Sequence, residues 1–403
     1  MIMFILLTSQ IMKTSAEVPS QIIVNTDKIS RGVILTPELQ QAFPEAQDGF
    51  NMVDAAFLKD PEAYLKKLQE SLFTFKSQGH DVACSLLYSD QSKKDEILVV
   101  LAPFSDGPPK SSAQSIDDYI TTHVYGSQKP DLWDKQKHLP GTWNQTTKSA
   151  VVFDLMEAIG EGMPVLTIYS PIPTDAYIQL ERNLIEYGNF IPAGRIVEQA
   201  IAEAQARLHG GKTETQIDKA NIHGASQGAS LGIGAAQHLL YTGKTELKSL
   251  TAQELIIGPK SLPDLAKRFS IGGRVGEPSD VVPAAYSPKI YEPKIRQLID
   301  RYRSEPAMYA RMLKAAKPTY LKGMVRNART VSAVEHLLDN NVSMLVALAE
   351  NSGLTHETAS YLPEGLSPIK IRGEKGQYAD HMVDEHVALT ALIAALNIKK
   401  RSN

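Results

Sequence analysis

The pattern of apolar and polar positions predicts strands and helices that alternate along most of the chain. Short apolar runs bounded by turn residues are typical of strands buried on both faces, whereas apolar residues repeated every three or four positions are typical of helices. The predicted strands are residues 21–25, 83–88, 97–102, 164–169, 219–223, 247–255, 342–349 and 367–372. The predicted helices are residues 61–78, 149–159, 195–208, 229–241 and 384–396. This alternation predicts an α/β fold, with a mainly parallel sheet and helices on both of its faces.

Two segments interrupt the alternation and suggest how the chain is divided. Residues 107–145, rich in Pro, Ser, Tyr and Trp, form a long excursion after a predicted strand. A mostly helical stretch broken by prolines lies between two predicted strands, which indicates an inserted cap. The predicted division is an N-terminal extension (1–80), the first part of the core (81–257), a helical cap (258–340) and the second part of the core (341–403).

Composition narrows the class of protein. The 403 residues include 43% hydrophobic and 22% charged residues with a net charge of -3, which argues against a disordered chain and against nucleic acid as a partner. The single cysteine, Cys84, excludes an internal disulfide and fits a reducing compartment. No apolar run is long enough to predict a membrane span. We expect a cytoplasmic protein, although the short apolar N-terminus leaves secretion as a weaker alternative.

The strongest chemical signal is the motif Gly224-Ala225-Ser226-Gln227-Gly228, placed between a predicted strand and a predicted helix. A tight strand-to-helix turn projects a serine hydroxyl above a sheet, and the glycines leave room for the backbone. The start of the helix directs N–H groups and a positive dipole end at a developing oxyanion. The alternative is a glycine-rich turn that holds a phosphate, but its spacing matches neither of the common phosphate-binding motifs.

This motif in its strand-to-helix setting resembles the nucleophile turn of the α/β-hydrolase fold, over roughly residues 80–397. The resemblance implies that fold with a helical cap inserted after the sixth strand, and the chain order serine, acid, histidine. It also implies a serine hydrolase that cleaves a carboxylic ester or related acyl bond of a small molecule without a cofactor. Peptidase, thioesterase and acyltransferase activities use the same machinery and stay open.

The resemblance also implies the members of a catalytic triad. Ser226 is the expected nucleophile, and His381, in an Ala-Asp-His-Met string, is the expected base. His386 is the weaker candidate because it falls within a predicted helix. The acid departs from the family pattern: Glu350 is favoured, close to where many relatives carry an aspartate. Glu254, at the end of the preceding strand, is the alternative.

Two backbone N–H groups are expected to form the oxyanion hole. The resemblance implies that of Gln227, directly after the nucleophile, and one from the loop after strand 97–102. Pro103 has no N–H group, so Phe104 is the expected second donor. His123 and His138 lack the spacing of metal ligands, so we expect no metal site.

Two further features leave alternatives open. Residues 258–329 contain 15 Lys and Arg against 6 Asp and Glu, a charge that steers anionic substrates or belongs to solvated helix faces. The unorthodox acid also permits a second function, that of an inactive hydrolase-fold protein with a binding or structural role.

Overall fold

The computed structural model describes residues 21–24, 33–34, 61–77, 80–101, 144–169, 188–210, 216–259, 322–349, 355, 357–373, 393–395 and 397–398, with residues 48, 52, 56 and 261. Its strands are β1 (Gln21–Val24), β2 (Val33–Ile34), β3 (Leu72–Ser77), β4 (His80–Leu87), β5 (Glu96–Leu101), β6 (Val165–Ile168), β7 (Lys219–Ala225), β8 (Glu246–Gln253), β9 (Ser343–Ala349) and β10 (Ile369–Gly373). Its helices are α1 (Pro61–Glu70), α2 (Asn144–Ala158), α3 (Pro192–His209), α4 (Gln227–Thr242) and α5 (Asn327–Asp339), and a 3₁₀ turn spans Thr358–Tyr361.

The strands of the described residues form one ten-stranded sheet in the order β2-β1-β10-β9-β8-β7-β5-β6-β4-β3. Every pair from β1 across to β6 is parallel. Antiparallel pairing is confined to the two margins, where β2 joins β1 and β4 joins both β6 and β3. The predicted α/β class with a mainly parallel sheet is confirmed.

The core lies on both faces of this sheet. On one face, alternate residues of the central strands, such as Ile222 and Leu250, pack in a single apolar cluster with α3, α4 and α5. Residues of the opposite parity point to the other face. There α2 packs beside β6 and β4, and the C-terminal segment is tied to the sheet because Asn397 Nδ2 donates to Thr251 Oγ1 at 2.8 Å. Two helical layers therefore cover the sheet and leave its carboxyl edge to carry the candidate site.

One predicted element is wrong. The helix expected over residues 61–78 ends at Glu70, and residues Leu72–Ser77 form β3 instead. In this segment Phe75 and Ser77 are buried while Thr74 and Lys76 are exposed, an alternation that suits a strand. Pairing with β4 over six residues outweighs the helical spacing of the apolar residues. All of the predicted strands agree with the structure to within three residues at each end.

The structure describes parts of the predicted N-terminal extension and of the predicted cap. Strands β1, β2 and β3 come from the segment predicted as an extension, and all three join the sheet. Helix α5 comes from the end of the segment predicted as a cap, but Val334 and Leu337 bury it in the main core beside α4. Residues 262–321 of that segment, and most of the helix predicted at 384–396, lie outside the described residues, so the cap stays a prediction.

Candidate active site

Ser226 occupies a strained turn between β7 and α4. Its backbone has φ 54° and ψ −117°, a combination outside the regions that non-glycine residues normally adopt. The Ser226 N–H donates to the carbonyl of Gln253, the last residue of β8, at 2.8 Å. The Ser226 carbonyl accepts from the Ala229 N–H at 3.1 Å, within the first turn of α4. Bonds to the neighbouring strand and to the helix therefore hold the turn in this conformation.

Gly224 lets the helix return closely over the strand. A Cβ atom at this position would lie 2.1 Å from the Gly228 carbonyl oxygen and 2.8 Å from the Ala229 nitrogen. Both neighbours are backbone atoms, so no side-chain rotation relieves the clash. A Cβ at Gly232, further along α4, would meet Ile222 Cγ2 of β7 at 3.3 Å. The small residues of this motif are therefore required by the close packing of α4 on the sheet.

The predicted site residues follow the carboxyl ends of five consecutive strands. These strands are neighbours in the order β10-β9-β8-β7-β5. The residues that follow them in the sequence are, respectively, His381, Glu350, Glu254, Ser226 and Phe104. In open α/β sheets, ligands bind at this edge. Gln227 is the buried first residue of α4. The alternative base His386, like Phe104, Glu350 and His381, lies outside the described residues, so these four assignments stay predictions.

Glu254 lies at the end of β8, the strand beside the one that leads to Ser226. It is 1% exposed, and its backbone has φ 51°, which is unusual for a glutamate. Its N–H donates to the Ala347 carbonyl of β9 at 2.8 Å, and its Oε2 accepts a hydrogen bond from Thr355 Oγ1 at 3.0 Å. A buried carboxylate is thus placed at the candidate site edge.

A second buried threonine attaches the connection between β9 and β10 to the residues that follow β8. Thr358 Oγ1 lies 2.7 Å from the Leu255 carbonyl, to which it donates, and it accepts from the Ile257 N–H at 3.0 Å. The sequence reasoning missed Thr355 and Thr358. Their spacing of three residues is the signal that the sequence offers.

The lone cysteine does not compete with Ser226 for the nucleophile role. Cys84 lies in β4 with no exposed surface, and its burial raises the pKa of the thiol, only partly opposed by the nearby Arg207 charge. A thiol that stays protonated is a poor nucleophile. Among the described residues, no group of His, Cys, Asp and Glu side chains is arranged to hold a metal ion. In the same part of the chain, no helix is long and apolar enough to cross a membrane.

Comparisons with known proteins relate the chain to solved structures only. No family model matches it, and no curated protein matches it. It is 12% identical to an esterase of Pyrobaculum calidifontis, over 92% of this chain and 99% of that chain, with a TM-score of 0.40. It is 13% identical to a proline iminopeptidase of Mycobacterium smegmatis, over 82% of this chain and 99% of that chain, with a TM-score of 0.38. For an α/β hydrolase enzyme from a Medee basin deep-sea metagenome library, the identity is 15%, the coverage 82% and 98%, and the TM-score 0.39.

The architecture itself assigns the fold. A mainly parallel sheet carries helices on both faces, and a strained serine turn joins a central strand to a closely packed helix at the carboxyl edge. The described part of the chain therefore has the architecture of the α/β-hydrolase fold.

Proposed function

We propose that this protein is a serine hydrolase that cleaves a carboxylic ester or a related acyl bond through an acyl-enzyme on Ser226. The observation that carries the proposal is the backbone of Ser226, held at φ 54° on the turn between β7 and α4. A strained residue costs about 1–3 kcal/mol and persists where the surrounding structure fixes it, typically at functional sites. The side chain of Ser226 is partly exposed at the edge where ligands bind in open α/β sheets, so the strained turn can present its hydroxyl to a substrate.

The chemistry follows from the proposed roles. His381 takes the hydroxyl proton as Ser226 Oγ bonds to the acyl carbon, and the N–H groups of Gln227 and Phe104 stabilise the oxyanion. The bond to the leaving group then breaks, and the imidazolium gives its proton to the departing oxygen. A water molecule, deprotonated by the same histidine, attacks the acyl-enzyme and releases the acid while Ser226 recovers its proton. A carboxylate orients the histidine, with Glu350 favoured by the sequence and Glu254 as the alternative.

The test is covalent labelling together with ester turnover. We expect a fluorophosphonate probe to label the wild-type protein and short p-nitrophenyl esters to be hydrolysed. Ser226→Ala should abolish labelling and lower turnover by several orders of magnitude while the unfolding temperature changes little. The matched control is Ser230→Ala, which removes a buried hydroxyl one turn later in the same helix and should keep both activities.

Two outcomes contradict the proposal in different ways. Labelling and turnover that survive in Ser226→Ala would place the nucleophile elsewhere. A wild-type protein that neither reacts with the probe nor hydrolyses any acyl substrate in a broad panel would favour the binding or structural role instead.

A further inference from the structure

We propose that Glu254 is the carboxylate that orients the catalytic histidine, and that Thr355 positions Glu254 through its hydroxyl; this rests on the serine-hydrolase function proposed above. Glu254 lies directly beside Ser226 at the edge of the sheet. Ala225 of β7 and Gln253 of β8 are paired in the sheet, so Ser226 and Glu254 are the residues that directly follow a register pair. Adjacent strands lie about 4.8 Å apart, which places the backbones of these two residues side by side.

The burial and the backbone conformation of Glu254 also indicate a functional role. An ionised carboxylate removed from water is unfavourable by several kcal/mol unless charges or hydrogen bonds compensate it. Glu254 is 1% exposed and also has a left-handed backbone. A buried, hydrogen-bonded carboxylate on a left-handed backbone beside a strained serine is typical of a functional site rather than of a packing position, which an apolar residue fills better.

The order of the strands also favours Glu254 over Glu350. His381 follows β10, and two strands, β9 and β8, lie between β10 and the Ser226 strand. A histidine that reaches Ser226 must therefore cross the ends of β9 and β8. Glu254 leaves the end of β8, the last strand crossed, whereas Glu350 follows β9, one strand further from the serine. A carboxylate at Glu254 lies next to the ring when the ring lies next to Ser226.

Thr355 gives Glu254 a fixed direction. Thr355 has no exposed surface, and its hydroxyl donates to Glu254 Oε2 at 3.0 Å. The two residues are 101 positions apart in the chain. A hydrogen bond to a charged group strengthens in a buried site and restricts the rotation of the side chain. Thr358 lies three residues later at the same depth, but its hydroxyl bonds the backbone of Leu255 and Ile257. The two threonines therefore provide a matched pair for mutagenesis.

The first experiment compares Glu254→Gln with Glu350→Gln. We expect Glu254→Gln to lower kcat about a hundredfold or more with little change in KM, and Glu350→Gln to lower it less than about tenfold. The pH profile of kcat/KM separates orientation from structure. A carboxylate charge beside an imidazole favours the protonated ring, so removal of that charge should move the acidic limb to lower pH by about one unit. A purely structural role leaves that limb in place.

The second experiment tests Thr355 and covers the case in which Glu254→Gln fails to fold. Thr355→Val should lower kcat by roughly tenfold with KM nearly unchanged, and Thr355→Ser, which keeps the hydroxyl, should restore it. Thr358→Val should lower the unfolding temperature while changing kcat less than Thr355→Val does.

Each result has one meaning for the proposal. A large effect in Glu350→Gln with a small one in Glu254→Gln overturns it, as does an unshifted acidic limb in Glu254→Gln. Equal kcat losses in Thr355→Val and Thr358→Val remove the positioning role of Thr355. In all of these cases the serine-hydrolase function stands as long as Ser226→Ala abolishes labelling, so the two proposals fail separately.

Discussion

Replacement of Gly224 by alanine tests the idea that the serine turn depends on close backbone approach. The new Cβ would lie 2.1 Å from the Gly228 carbonyl oxygen and 2.4 Å from its carbonyl carbon. Nonbonded carbon and oxygen atoms rest about 3.3 Å apart, so the backbone must separate by about 1 Å. Overpacking in a rigid site costs typically 1–3 kcal/mol, and only backbone atoms are available to move here. We therefore expect a loss of about 3 kcal/mol in the free energy of unfolding.

Gly243→Ala provides the matched control. Gly243 ends the same helix, and a Cβ there meets nothing within 4 Å, although its φ of 62° is left-handed. The left-handed conformation alone costs an alanine about 1–2 kcal/mol. Gly224 has no positive φ, so Gly243→Ala shows the loss from left-handed strain without a clash, whereas Gly224→Ala shows the loss from a clash without left-handed strain.

Thermal unfolding and fluorophosphonate labelling measure the loss of stability and the displacement of Ser226 that Gly224→Ala should cause. A loss of 1 kcal/mol lowers Tm by roughly 2 °C in a chain of this size, so we expect a drop of about 6 °C, against about 2–4 °C for the control. The displaced turn should also slow fluorophosphonate labelling of Ser226 by about a hundredfold, because small displacements of a reacting group cost about that much. Gly243→Ala should label normally. If Gly224→Ala matched the control in both measurements, the close-approach argument would be wrong.

Two further predictions concern the edge of the sheet at β10 and the ion pairs of Glu198. Deletion of residues 1–34 removes β1 and β2 and exposes the edge of β10; we expect a lower Tm and self-association in light scattering, whereas deletion of residues 1–14 should show neither. Burial of the Glu198 carboxyl opposes its ionisation, but hydrogen bonds from Lys244 and His238 outweigh burial and lower its pKa. Its contribution to stability is therefore complete above a pH of about 4.3 and is lost as the pH falls through the lowered pKa. Glu198→Gln should lower Tm at pH 7, and its difference from wild type should shrink in acid; a difference that is constant with pH would show that the charge is not responsible.

The sequence predicted the features that arise from local chemistry. A strand buried on both faces is typically a short apolar run wherever it lies, so the central strand β5 could be located from residues 97–102 alone. The serine turn was equally visible, because the glycines that permit it are neighbours of Ser226. Features that depend on distant residues were not accessible. The pairing of Gln21 with Lys370 and the bond from Thr355 to Glu254 join residues far apart in the chain, and neither leaves a local pattern.

The error over residues 61–78 has the same origin. Leu65, Leu68 and Leu72 keep a helical spacing, and no glycine or proline separates Glu70 from β3. The helix ends there because β4 offers a pairing partner to the residues that follow. Tertiary pairing therefore decided a boundary that intrinsic preference left open.

The hydrogen bonds of the turn argue against the alternative of a phosphate-binding loop. A glycine-rich loop binds phosphate with the N–H groups of its own backbone, so these must be directed at the ligand. Here the Ser226 N–H donates to the Gln253 carbonyl, and the Ala229 N–H donates to the Ser226 carbonyl. Both groups stabilise the turn itself. Two N–H groups of the turn therefore maintain the strained serine, whereas an anion cradle would direct its N–H groups at the ligand. This favours the proposed presentation of the Ser226 hydroxyl, for which the Gln227 N–H is assigned to the oxyanion.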